Sequence, residues 1–323
     1  MLSPRLANDE ICPFCPLKAG HAPKGGGISR PPFLRRGPMN KKSAKVDPPP
    51  LAEGTISTRA EHKQVEERLA IGANVVYETI RREGEDELHR TVAALAWSAL
   101  AAGLSMGFSF VAEGLLMSHL PDQPWRPLIA SAGYCVGFLI VILGRQQLFT
   151  ENTLTVVLPL LLRKDLATLL RMLRLWGVVL SGNLVGTFLF ALCIGKILLF
   201  DSRTQESLTQ IGLAHIGASF WTVLVRAVFA GWLIALMVWL LPGAESARVS
   251  IVIIVTYLVG ISRFNHIIAG STTMFFLIVT KSISWETYVT QFFIPTLLGN
   301  VIGGLSLVAA LGHAQVVAGK EQR

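Results

Sequence analysis

Four charged or titratable side chains cluster in two polar interruptions of otherwise apolar sequence. Arg145 and Glu151 lie in one polar interruption, and Arg263 and His266 lie in another. The first reads Gly144-Arg145-Gln146-Gln147-Leu148-Phe149-Thr150-Glu151-Asn152, and the second Gly260-Ile261-Ser262-Arg263-Phe264-Asn265-His266. An imidazole has an unperturbed pKa of about 6.5, so His266 can carry or lend a proton near physiological pH. A guanidinium does not shed its proton, so an arginine in a pore would hold anions firmly. Helix ends at a break add free N–H groups, which also attract anions. Arg145 and Arg263 have two readings: a fixed positive pair beside a pore, or structural ion pairs with Glu151 and Glu113.

The elements carrying these groups are long apolar runs, each near the ~20 residues that cross a bilayer. They fall at about 91–117, 128–161, 170–199, 217–241, 249–280 and 287–312. The second and fifth are too long for one crossing and contain the interruptions. Open backbone and charge cannot face lipid; they are tolerated where they line a cavity or are buried in protein. The expected fold is therefore an all-α membrane protein of six transmembrane helices, with spans two and five broken.

Composition agrees with this. The chain has 323 residues, 51% hydrophobic and 15% charged, against roughly 25% charge in a soluble domain. Residues 91–323 hold only 14 Lys+Arg and 9 Asp+Glu. The net charge of +8 is split between an N-terminal arm and short loops, which argues for membrane orientation rather than nucleic-acid binding. With the N-terminus inside, ten basic residues fall on cytoplasmic segments and four (Arg126, Lys196, Arg203, Lys281) outside. Both termini are expected in the cytoplasm. No HExxH, nucleophile elbow or paired catalytic carboxylates occur in the spans, so an enzyme is not expected.

Outside the spans, residues 1–58 are rich in Pro, Gly, Lys and Arg and read as a disordered basic arm. Met39 opens a Lys-rich segment and is a candidate alternative start. Cys12 and Cys15 lack the second pair that a structural zinc site needs, and no metal or cofactor is expected. No short apolar stretch near the start marks a signal peptide. Residues 59–90 carry Val65, Leu69, Val75, Val76, Ile80 and Leu88 at near-helical spacing. This predicts an amphipathic helix, lying either on the membrane face or against the protein's own loops. The six-span region runs over 91–312, with a tail over 313–323.

A repeat organises the spans. Gly182-Asn183-Leu184-Val185-Gly186 in span three returns as Gly299-Asn300-Val301-Ile302-Gly303 in span six, 117 residues later. The same offset carries Gln147, in one break, to Phe264, in the other. Three spans per half is an odd number, so the halves have inverted topology, an architecture in which paired broken helices meet at a permeation site.

The ordered set of motifs resembles the formate/nitrite transporter family: Leu148-Phe149-Thr150 followed by Asn152, Trp176 with Gly182-Asn183 and Gly186, Phe264-x-His266-x-x-Ala269, and Gly299-Asn300 with Gly303. The resemblance covers roughly residues 75–312. It implies an aquaporin-like protomer in a bacterial inner membrane, a homopentamer with one pore per protomer, and passage of small monovalent anions or their acids. It implies His266 as the central proton donor, Leu148 and Phe149 as a dry constriction, and Thr150 as a polar contact to the permeant or to His266. Asn183 and Asn300, with Gly182 and Gly299, are expected to support the broken helices. The sequence departs from the family pattern at several points. Asn265 and Gln147 stand where Glu is common, Arg263 where a small Gly is common, and Gly231 where Asn is usual. His215 aligns loosely with an outer basic residue. Val259 replaces an aromatic, so the outer gate falls to Tyr134 and Phe138. The competing readings are a neutral-solute channel and a non-transporting membrane scaffold acting through the arm.

Overall fold

The computed structural model describes residues 72–197 and 199–307. The expected arm, the Cys12/Cys15 pair, Met39, residues 59–71 of the expected amphipathic helix and the tail beyond 307 lie outside that range. The regular structure of the described residues is helical throughout.

Polar caps start many of the helices, each satisfying an orphan N–H of the first turn. Helix α1 spans Ala73–His89. Helix α2, Val92–His119, begins at Thr91, whose side chain accepts from Ala94 N. Helix α3, Arg126–Leu143, contains a 3-10 turn at Ser131–Tyr134. Two short helices follow, α4 over Phe149–Thr155 and α5 over Val157–Arg163. Helix α6, Leu166–Lys196, is capped by Asp165, and α7, Ser202–Leu213, by Asp201. Helix α8, Phe220–Leu240, is capped by Ser219. Helices α9 (Arg248–Ile261) and α10 (Ile267–Val279) flank the second interruption. Helix α11, Trp285–Leu307, includes a π turn at Tyr288–Phe293.

Five helices among the described residues are long and apolar enough to cross a membrane: α2, α3, α6, the α8 segment and α11. Their outer surface is apolar as well. Trp97, Trp221 and Ile254 are 73%, 72% and 66% exposed, which suits lipid or another subunit and not water. Helix α7 is an addition to the sequence reading, which placed no element over 200–216. It packs on α2 and α10 through Leu208 and Gly212.

The helix interruptions are shorter than the polar sequences suggest. Helix stops at Leu143 and Ile261 and restarts at Phe149 and Ile267. Phe149–Asn152 and Gly260–Ile261 are therefore helical, and the register between the two interruptions is corrected by one residue. Arg145 and Arg263 both have left-handed backbones (φ 49° and 50°), as do Lys164 and Lys281 (φ 52° and 62°). The first pair is 118 apart and the second 117. The first segment thus holds one residue more, and it also carries a kink at Val156, between α4 and α5, where α10 runs unbroken. Gln147 corresponds to Asn265, not to Phe264.

Close helix crossings locate the interruptions. Helix α2 lies along α6, and α8 along α11, and each crossing is made of glycine. A Cβ on Gly186 would lie 2.5 Å from Leu100 O and one on Gly299 2.6 Å from the Ala227 Cβ. Gly103 meets the carbonyl of Asn183, and Gly231 that of Asn300. Helix α1 is docked on the protein itself. Val76, Ile80 and Leu88 are buried, and Gly84 sits against the Thr155 carbonyl at the α4–α5 kink. Arg163 donates to Glu85 at 2.9 Å, and Arg174 donates to Leu88 O at 3.0 Å. Residues 73–89 of the expected helix pack on the protein's own surface.

Two outcomes follow from this packing. Gly303→Val should destabilise the protein by about 1–3 kcal/mol through overpacking, since Gly303 abuts Val228 O, whereas Gly177, with open space around it, should accept Ala at no cost. Thermal unfolding in detergent of the two variants reads this contrast. Burial raises the Glu85 carboxyl, but Arg81 and Arg163 outweigh it and hold it below its ordinary value. A carboxylate lowered on folding contributes stability above its unfolded pKa of about 4.3, and that stability is lost as pH falls further. With Glu85 24% and Arg163 41% exposed, the pair is worth about 0.2–1 kcal/mol. Exchange protection factors along α1 should hold between pH 7 and 5 and fall as the pH drops below about 4, and Arg163→Ala should lower them already at pH 7.

Candidate functional site

A buried gap in a helix leaves backbone N–H and C=O groups that must find partners. Two asparagines supply them here. Asn183 Nδ2 donates to Ala99 O and to Gln147 O, both at 2.8 Å, and its Oδ1 accepts from Phe149 N at 2.9 Å. Asn300 repeats this on the other gap, donating to Ala227 O (2.8 Å) and Asn265 O (2.9 Å) and accepting from Ile267 N (2.8 Å). Each side chain ties a gap to two long helices. Gly182 and Gly299, one residue before, let Ala99 and Ala227 approach. Neither asparagine is solvent-exposed, at 0% each.

The two gaps present different residues at the same place. Leu148 and His266 are the N-cap residues of α4 and α10, with near-identical backbones (φ −105°, ψ 129° and φ −106°, ψ 127°). Leu148 has no capping side chain. His266 Nδ1 accepts the Ala269 N–H at 3.2 Å and caps α10. A ring nitrogen accepting a hydrogen bond carries no proton, so the neutral ring bears its proton on Nε2. Nε2 then donates to Thr150 Oγ1 at 2.8 Å, joining the two gaps directly. The Phe138 ring lies edge-on to the imidazole at 5.1 Å, with Tyr134 beyond it at 5.3 Å. Leu148, Phe138, Thr150 and Val259 are all 0% exposed. The Phe149 ring lies edge-on to Trp176 of α6 at 5.7 Å.

Two cavities flank this layer. One, of about 220 Å³, is bordered by His266, Tyr134, Val259, Asn265, Arg263 and His215, and by Glu113 of α2. The other, of about 570 Å³, is bordered by Arg145, Gln147, Glu151 and Asn152, and by Glu83 and Glu87 of α1. Phe138, Leu148 and Thr150 border neither. Arg145 and Arg263 therefore stand at different cavities and are not a facing pair. Neither forms an ion pair with Glu151 or Glu113 among the described residues. Both sequence-based readings of the two arginines are corrected on this point. The two side chains border different cavities although they hold the same left-handed backbone position in their gaps.

The remaining candidates fall at the same two places. His215 Nδ1 lies 3.1 Å from Asn265 Oδ1, which makes its loose alignment a direct contact. Gln147 accepts from Asn152 Nδ2 at 3.0 Å, and its backbone N–H donates to Ser98 Oγ at 3.0 Å. Ser98 and Ser109 were missed as site residues. Ser109 Oγ donates to Tyr134 O (2.6 Å) and accepts from Gly137 N (2.9 Å), pinning α2 to α3. Glu113, one turn on, appeared only as an ion-pair partner. The available signal was a carboxylate within an apolar run, which is itself a pointer to a functional site. No cluster of metal-ligating side chains occurs among the described residues.

Comparison with known proteins places this geometry. The formate/nitrite transporter family model matches residues 74–314. The inner membrane protein YfdC of Escherichia coli (strain K12) is 39% identical over 251 residues, covering 78% of this chain and 81% of YfdC. The formate channel BtFdhC of Bacillus thuringiensis is 24% identical, covering 72% of this chain and 91% of that one. A solved pentameric formate channel with formate bound aligns with a TM-score of 0.61 at 19% identity, over 72% of this chain and 98% of that chain, and shares the fold. The family is one of membrane channels and transporters, not enzymes. From its sequence match over most of its length, this chain belongs to the formate/nitrite transporter family.

Proposed function

We propose that the protein is a membrane channel or transporter for small monovalent anions of weak acids, formate and nitrite among them, which pass His266 together with a proton. Six crossings form two inverted halves: α2, α3–α5 and α6, then α8, α9–α10 and α11. Five long apolar helices, the shorter apolar α10 and the matched offsets at the gaps support that count. The likeness to a pentameric formate channel supports a homopentamer with one pore per protomer. The loop charges and the inner-membrane relative support an inner-membrane location with both termini in the cytoplasm. In this orientation the 570 Å³ cavity is the cytoplasmic mouth and the 220 Å³ cavity the outer chamber.

The observation that carries the reading is the 2.8 Å contact of His266 Nε2 with Thr150 Oγ1, between the two cavities. Around it the walls are Phe138, Leu148 and Val259, a dry layer that a bare anion crosses at high cost. A neutral acid crosses it far more readily, and the imidazole and hydroxyl offer it one donor and one acceptor. Tyr134 and Phe138 gate this layer on the outer side. Phe149 contributes through its packing on Trp176. Arg145 and Arg263 offer fixed positive charge at the two mouths.

The imidazole has two duties that substitution can separate. Asparagine is a strong N-cap but exchanges no proton. His266→Asn should therefore keep the α10 end and the folded pentamer, yet lower pH-driven formate and nitrite uptake into proteoliposomes by about tenfold or more. His266→Ala should lose the uptake and also about 1 kcal/mol of stability with the cap. Wild-type protein that moves neither ion at any pH, beside an active relative, would rule the reading out.

A further inference from the structure

Glu113 has no part in the roles above, yet its position is closely built. Gly133, in the 3-10 turn of α3, lies against the backbone of Ala112 and Glu113 where a Cβ would not fit. Ser109, one turn earlier on α2, clamps Tyr134 and Gly137. The helix face bearing Glu113 is thus held at the outer chamber. Arg263 borders the same chamber, from a residue in left-handed conformation (φ 50°). Among the described residues neither side chain has a hydrogen-bond or ion-pair partner, so Glu113 oxygens and Arg263 nitrogens are more than 4.0 Å apart. The other opposite charges at the chamber, Asp122 and Arg126, are paired with each other at 3.3 Å. Of the remaining titratable groups on its walls, His215 is tied to Asn265 and His266 to Thr150, and Tyr134 packs beside Phe138.

A carboxyl and a guanidinium that share one chamber without touching leave a gap suited to a group with one acceptor and one exchangeable proton. A small oxyacid is such a group. We propose that this gap is where the permeant takes up its proton, with Arg263 holding one oxygen of the anion and Glu113 protonating the other. The inference rests on the transport reading above. In the step, the Glu113 O–H bond breaks and an O–H bond forms on the permeant. Arg263 balances the anion before transfer and the Glu113 carboxylate after it. The chamber carries no net change of charge, which a low-dielectric site would otherwise resist. Glu113 regains its proton from water at the outer mouth, and the neutral acid moves on to the His266 layer.

The test is formate uptake into proteoliposomes of the full-length protein at external pH 5, 6 and 7. Wild-type uptake should rise as pH falls. Glu113→Gln should lower the maximal rate by about tenfold or more and flatten its pH dependence, with KM little changed because Arg263 still holds the anion. Glu113→Asp should restore part of both. Arg263→Gln should do the reverse, raising KM and keeping the pH dependence. Should Glu113→Gln fail to assemble, an unchanged KM in Arg263→Gln overturns the proposal. An unchanged rate and pH profile in assembled Glu113→Gln, with His266→Ala inactive, overturns it too and leaves the transport reading standing. A wild type without uptake overturns both.

Discussion

A helix interrupted inside an apolar protein must still satisfy the backbone groups that the interruption frees. That constraint shapes most of this molecule. At each gap one asparagine amide takes up two carbonyls and one N–H, and it does so from a helix other than the broken one. Those bonds require the long helices to approach within backbone contact, which in turn requires Gly103, Gly186, Gly231 and Gly303 at the crossings. An unpaired buried donor or acceptor costs about 1–3 kcal/mol. Losing one asparagine would leave two groups of the gap without that partner, one carbonyl and one N–H, so the clamps hold each interruption in place.

The scaffold is matched in its two gaps, whereas the chemistry it holds is not. The N-cap of one broken helix is Leu148 and that of the other is His266. The leucine offers only surface. The imidazole both caps its helix and reaches across to Thr150. Capping fixes which nitrogen carries the proton, and so it fixes which nitrogen can face the other gap. A residue that looks like a lone titratable group in sequence is, in space, held by two partners with opposite demands.

Much of this was readable from the chain because it is written in residue types with few alternatives. GNxxG repeats and polar runs inside apolar ones have local physical causes. What escaped depends on three-dimensional direction. The one-residue difference between gaps and motifs is absorbed at the Val156 kink, which no local pattern marks. Helix α7 is short and polar enough to resemble a loop, and is stabilised by packing on α2 and α10. The contact of Phe149 with Trp176 is likewise a matter of direction and not of residue type.

The arginines show the same limit most clearly. Arg145 and Arg263 occupy the same left-handed position in their gaps, and sequence spacing alone invites pairing them. In space the two side chains border different cavities. Each arginine thus acquires a cavity of its own and a different acid for company: Glu151 beside Arg145 and Glu113 beside Arg263. The acids do not occupy equivalent positions, since Glu113 on α2 corresponds to Leu241 at the end of α8. The two cavities are therefore not interchangeable. The 570 Å³ cavity also gathers Glu83 and Glu87 from α1. The 220 Å³ cavity holds the Asp122–Arg126 pair and, apart from it, the Glu113 carboxyl and the Arg263 guanidinium without an ion-pair partner, so an acid and a guanidinium are both left free to meet one small ligand.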